Sequence, residues 1–183
     1  VHGNRQALFA ACNLRYFVLM LWIENIIRLL LVLLLQILLI DNLHFLGVVD
    51  PFLYILFLLA LPVEVDRRIL LLIGFAMGLV MDIFSNSLGV HTAACTALCF
   101  ARPYLISNLV QEDERLVGTV DGRSLGLEVY IKYVCLLTLL HHSMVFLLSA
   151  FTLHAFWLTL IQIIVSTLIT IVLLLGWEFV KNR

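Results

Sequence analysis

The sequence predicts an all-α, polytopic membrane protein, a bundle of six transmembrane helices with both termini cytoplasmic. Three observations carry this reading. The chain of 183 residues is 63% hydrophobic and only 13% charged, against about 25% charged residues in a soluble domain. Its mean hydropathy is +1.12. Its apolar residues gather into runs that approach the roughly 20 residues a helix needs to cross a bilayer. Too little polar material remains to cover the molecule with water-compatible groups.

Residues 1–22 read as a cytoplasmic or interfacial extension, and 23–183 as the transmembrane domain. Arg5, Arg15 and the apolar run from Tyr16 to Trp22 imitate a signal peptide, but no small-residue cleavage site follows them. Met20 is the expected native start, which would make residues 1–19 an upstream extension. The first span, 26–45, is Leu-rich. The next two, 48–64 and 69–86, flank Glu64, Asp66, Arg67 and Arg68. Burying these four as a re-entrant tip would cost about 3 kcal/mol or more each. Two short spans with the charges at a membrane face avoid that cost, with Asp50 and Asp82 near the opposite face. The remaining spans are 88–106, 130–152 (broken by His141 and His142) and 155–178, which is the clearest.

Six spans place every Lys and Arg on the side of the termini, from Arg5 to Arg183, and leave Asp41, Asp50, Asp82, His44, His91 and His154 opposite. That is the positive-inside pattern. Trp22, Tyr104, Tyr130, Tyr133 and Trp177 are expected at the inner interface, and Trp157 at the outer one. The polar stretch from Ser107 to Leu127 is too short for a folded domain. Glu24 and Arg28 read as an interfacial pair, and Glu112-Asp113-Glu114 as a solvated loop face.

Polar and small residues inside lipid mark packing faces or function. Gly74, Gly78, Asp82 and Ser85 follow helical spacing along one stripe, and Gly74 to Gly78 is a GxxxG. Ala93, Ala97 and Ala101 suggest a second close-packing seam. Cys135, Thr138, His142 and Ser149 share a face, as do Thr159, Gln162, Ser166 and Thr170. His141, His142 and Gln162 form a candidate intramembrane polar site. A neutral, hydrogen-bonded histidine pair competes there with a proton relay, a metal ligand or a ligand contact. Asp82 is read either as a hydrated or turn-capping carboxylate or as a partner contact.

Membrane-enzyme chemistry finds no support. There is no GxSxG, HExxH or phosphate-cradling GxxxxGK[ST]. No acid pair stands at metal-holding spacing. Asp121-Gly122-Arg123 lacks the downstream acids of a metal-dependent transferase. Cys12, Cys95, Cys99 and Cys135 form no CxxC and read as packing residues. No catalytic residue, metal or cofactor is expected, and no basic tract follows a nucleic-acid backbone.

The segments PFLYILFLLALP (51–62) and IGFAMGLVMDIFSNSLGVHTAA (73–94) resemble the MreD family of bacterial rod shape-determining proteins. The matching positions are Leu61-Pro62, Gly78-Leu79, Asp82, Ser85 and Leu88-Gly89. The resemblance covers nearly the whole chain from Trp22, and about forty residues carry its motifs. It implies a non-enzymatic scaffold of the cell-elongation machinery in the bacterial inner membrane. Such a subunit binds MreC and, through it, couples to MreB and the peptidoglycan synthase. It also implies structural or partner-binding roles for Pro62, Gly74, Gly78, Asp82, Ser85 and Gly89. The competing expectation is a substrate-binding subunit of a vitamin or metabolite importer. Those subunits carry a small-residue face on the first helix, whereas Leu29 to Ile40 has no Ala or Gly.

Overall fold

The computed structural model describes residues 29, 31–36, 50–110, 118–150 and 156–181. Regular structure among them is helical apart from one isolated bridge, Pro62 with Thr119. The helices are α1 (Ile55–Ala60), α2 (Arg67–Ser85), α3 (Val90–Leu109), α4 (Leu127–Ser149) and α5 (Phe156–Lys181). Residues 29 and 31–36 are also helical. The expectations for residues 1–28, for most of the 26–45 span and for the Glu112–Glu114 run lie outside the described residues.

α2, α4 and α5 are long and apolar enough to cross a membrane, and the protein is membrane-embedded on that ground. Their outward faces agree. Leu72, Ile83 and Trp157 are 67%, 70% and 74% exposed, a cost in water but none in hydrocarbon. α3 has similar length, but His91, Thr92, Thr96 and Arg102 interrupt its apolar run.

The helices run antiparallel in chain order, α3 packing on α2 and on α4, and α4 on α5. Each buries a helical stripe. On α2 it is Leu70, Gly74, Met77, Gly78, Met81 and Asp82. On α4 it runs from Tyr130 through Tyr133, Leu137, Thr138, His141 and His142 to Phe146. Since lipid is as apolar as leucine, close packing and hydrogen bonds hold such a bundle together.

One end of the bundle is basic and tied together by the 118–126 loop. Val63 N–H donates to the Gly118 carbonyl at 3.0 Å, and Gly118 N–H to Glu64 at 2.6 Å. The buried carboxylate of Glu178 accepts the Gly122 N–H at 2.9 Å, and Lys181 pairs with Asp121 at 3.3 Å. Asp121 also accepts the N–H groups of Arg123 and Ser124. Partial burial pushes the Asp121 carboxyl up, but the Ser124 N–H and the Lys181 ammonium outweigh it and hold it below its ordinary value.

Several sequence expectations are corrected here. Among the described residues of the 48–64 span only Ile55–Ala60 is α-helical. Pro51 lacks an amide proton, and side chains from other helices take up the backbone groups on either side. The Asp50 N–H donates to Ser166 Oγ at 3.2 Å. The Ala93, Ala97 and Ala101 stripe does not form a packed seam; it lines an open groove. The face of α3 set two positions away, His91, Cys95 and Cys99, makes the close contact instead. Tyr130 and Tyr133 are buried rather than interfacial. The expected face Cys135–Thr138–His142–Ser149 divides, with Thr138 and His142 buried and Ser149 exposed.

Candidate functional site

A polar core surrounds the non-helical backbone that precedes α1. Backbone without helical partners must find others inside a membrane protein. Gln36 supplies two, donating from Nε2 to the Pro51 carbonyl at 3.1 Å and accepting Leu53 N–H on Oε1 at 2.8 Å. Thr170 Oγ1 on α5 accepts Phe52 N–H at 3.3 Å. At the other end of α1, Tyr133 donates to the Leu59 carbonyl at 2.9 Å. Arg102 donates from Nη2 to the Leu61 carbonyl and from Nε to Tyr133 Oη at 2.8 Å. The guanidinium therefore faces the helix C-terminus, where the backbone dipole favours a cation. Among the described residues no carboxylate pairs with it.

At the centre lies Tyr54, fully buried. Its hydroxyl stands 2.8 Å from His91 Nδ1 on α3 and 2.8 Å from His141 Nε2 on α4. A phenol donates once and accepts as well, so it joins the two imidazoles by giving a proton to one and taking a hydrogen bond from the other. In neutral rings the tautomers fix those roles, since a proton passed through the hydroxyl would leave one imidazolate and one imidazolium. His141 Nδ1 has no partner among the described residues. His142 is fixed differently. Its Nδ1–H donates to the Thr138 carbonyl at 2.9 Å, which leaves Nε2 to accept from Thr170 at 3.1 Å. The Phe52 ring sits among the three histidines, 5.3 Å from His91, 5.6 Å from His141 and 5.0 Å from His142 between centroids. Among the described residues no set of three metal-ligating side chains converges.

The second constellation is the α2–α3 hairpin. Gly74 and Gly78 lie where the two backbones touch. A Cβ on Gly78 would come within 2.4 Å of Thr92 Cα, and one on Gly74 within 2.6 Å of Cys99 Sγ. Asn86, at φ 51°, ends α2 in the left-handed region, and Gly89, at φ 83°, opens α3. A glycine cap has no side chain for the free N–H groups of the first turn. Asp82 fills that role from the neighbouring helix. Oδ1 accepts His91 N–H at 2.9 Å and Ser87 Oγ at 2.5 Å. Oδ2 accepts Thr92 N–H at 2.9 Å and Thr92 Oγ1 at 2.5 Å.

The predicted residues therefore fall into three places. Gly74, Gly78, Asp82 and Gly89 build the hairpin, beside which Ser85 is exposed at the end of α2. Pro62 lies at the basic end, paired with Thr119. His141 and His142 belong to the polar core. Gln162 does not join them: it is half-buried and one turn beyond Ser166, and the α5 contacts to the broken segment come from Ser166 and Thr170. Sequence reasoning missed Gln36, Tyr54, His91, Arg102 and Tyr133. The available signal was a lone polar residue in an apolar run, as Gln36 is between Leu35 and Ile37 and Tyr54 between Leu53 and Ile55.

Comparison with protein-family models, curated proteins and solved structures finds no match.

Proposed function

We propose that this chain is a non-enzymatic scaffold subunit of the bacterial cell-elongation machinery, of the MreD type, in the inner membrane. In this reading it makes six membrane passes, with the basic end cytoplasmic. It binds MreC laterally and, through it, couples to MreB and the peptidoglycan synthase. The observation that carries the reading is that Gly78, Asp82 and Gly89 of the resemblance form one structural unit. Gly78 sets the approach of α2 to α3, Asp82 caps α3, and Gly89 makes the turn. A rigid hairpin of this kind leaves the other face of α2, with Leu72 and Ile83 exposed, for a neighbouring helix.

Affinity capture from native membranes tests it. The expected companion is a single-span protein with a periplasmic domain, and depletion of the chain should turn rods into spheres. Normal rods and no such companion would refute the scaffold role. For sidedness, Asn86→Cys should react with an impermeant thiol reagent in intact cells, and Arg68→Cys only after permeabilisation.

One observation favours a second reading, the substrate-binding subunit of an importer. Non-helical backbone beside a buried polar cluster, here residues 50–53 with Tyr54, His91 and His141, is how transporters build binding sites at membrane depth. A small molecule that co-purifies with the wild-type chain and is lost in Tyr54→Phe would select this reading over the scaffold.

A further inference from the structure

We propose that the groove between α2 and α3 is a binding site for an anionic phospholipid, with one acyl chain along the alanine stripe and the headgroup on Arg67. The groove has a volume of about 890 Å³ and is apolar along its length. Leu71 and Phe75 of α2 form one wall. Ala93, Ala97 and Ala101 leave a trough along α3 that larger side chains would fill, and Phe100 closes its basic end. From Ala101 to Gly89 the trough runs roughly 18 Å at 1.5 Å per residue, close to one leaflet of a hydrocarbon core about 30 Å thick.

Charge complementarity names the occupant. Arg67 lies where the groove meets the basic end, its guanidinium 5.5 Å from the Phe100 ring centroid and 4.2 Å from that of Tyr104. Stacking uses the face of a guanidinium and leaves its N–H edge for a phosphate. Among the described residues Arg67 has no ion pair. The nearby carboxylates are engaged otherwise, Glu64 accepting Gly118 N–H and Asp66 capping α2 through Arg68 N–H. An apolar trough one leaflet long with a cation at its mouth has the shape and polarity of an anionic lipid. This site is independent of the scaffold reading and of which face of the membrane is cytoplasmic.

The test is native mass spectrometry of the full chain released from detergent, with equal amounts of phosphatidylglycerol and phosphatidylethanolamine added. One phosphatidylglycerol should be retained with about fivefold preference, the worth of one arginine near a membrane surface. Arg67→Gln, a change at an exposed position, should bring the preference close to one. Ala97→Phe, which places a ring in the trough, should abolish retention of both lipids at an unchanged melting temperature. Ala93→Leu serves the same purpose if Ala97→Phe fails to fold. Equal retention of the two lipids by the wild type, or the same preference in Arg67→Gln, would overturn the proposal. So would a dimer dissociated by Ala97→Phe, which would make the occupant a second copy of this chain.

Discussion

At the scale of the residue, burial and valence explain why so few polar side chains organise so much apolar sequence. Asp82 is 5% exposed, and both its oxygens are occupied by α3 and the turn. Its carboxylate is thus a helix cap supplied across a hairpin. Asp82→Asn replaces one acceptor with an N–H₂ group that faces donors. It should destabilise the protein by about 1–2 kcal/mol, seen as a lower thermal midpoint in detergent, while Ser85→Ala at the exposed neighbour leaves the midpoint unchanged. Tyr54→Phe removes the hydroxyl that serves both His91 and His141. The ring still packs against Phe52, so the loss isolates hydrogen bonding. Removing this partner from two buried imidazole nitrogens should cost about 1–3 kcal/mol, measured in the same way.

At the scale of the element, two departures from regular helix define the molecule. The stretch before α1 is non-helical, and Gln36, Ser166 and Thr170 satisfy its backbone. α2 and α3 approach so closely that only glycine fits between them. Gly78→Leu should therefore separate the helices and lower folded yield, because the clash is with Thr92 and His91 backbone atoms that no rotamer change can move. Gly176→Leu is the matched control: no atom lies within 4 Å of the added Cβ there, so monodisperse yield should be preserved.

These helices were largely legible in the sequence, since apolar length and charge placement mark where a chain can cross lipid. Their depths and contacts were not. The periodicity that marked Ala93, Ala97 and Ala101 as a seam applies equally to His91, Cys95 and Cys99 one face over. The difference depends on the rotation of α3, which the two glycines of α2 and the Asp82 cap set from outside that helix.

At the scale of the whole molecule, the polar contacts divide between the two ends and the centre. The basic end is closed by the 118–126 loop, which joins the start of α2 to the end of α5 through Glu64, Glu178 and Asp121. Asp121 contributes in the ionised form. Its folded pKa lies below the ordinary value of 3.8, so its stabilisation is full above that value and is lost as pH falls through the lower folded one. The thermal midpoint of the wild type should exceed that of Asp121→Asn at neutral pH, and the gap should close on acidification below 3.8. A gap that persists in acid would show that the carboxylate charge is not what holds the loop.

The sequence by itself determined that this protein is helical and lies in a membrane, because hydropathy and the placement of charge are properties of the chain and need no contacts. Only the tertiary structure decided that Asp82 is a cap, that Tyr54 links two histidines and that residues 50–53 are unwound. A polar group in lipid must find a partner, and which partner is within reach depends on how the helices pack.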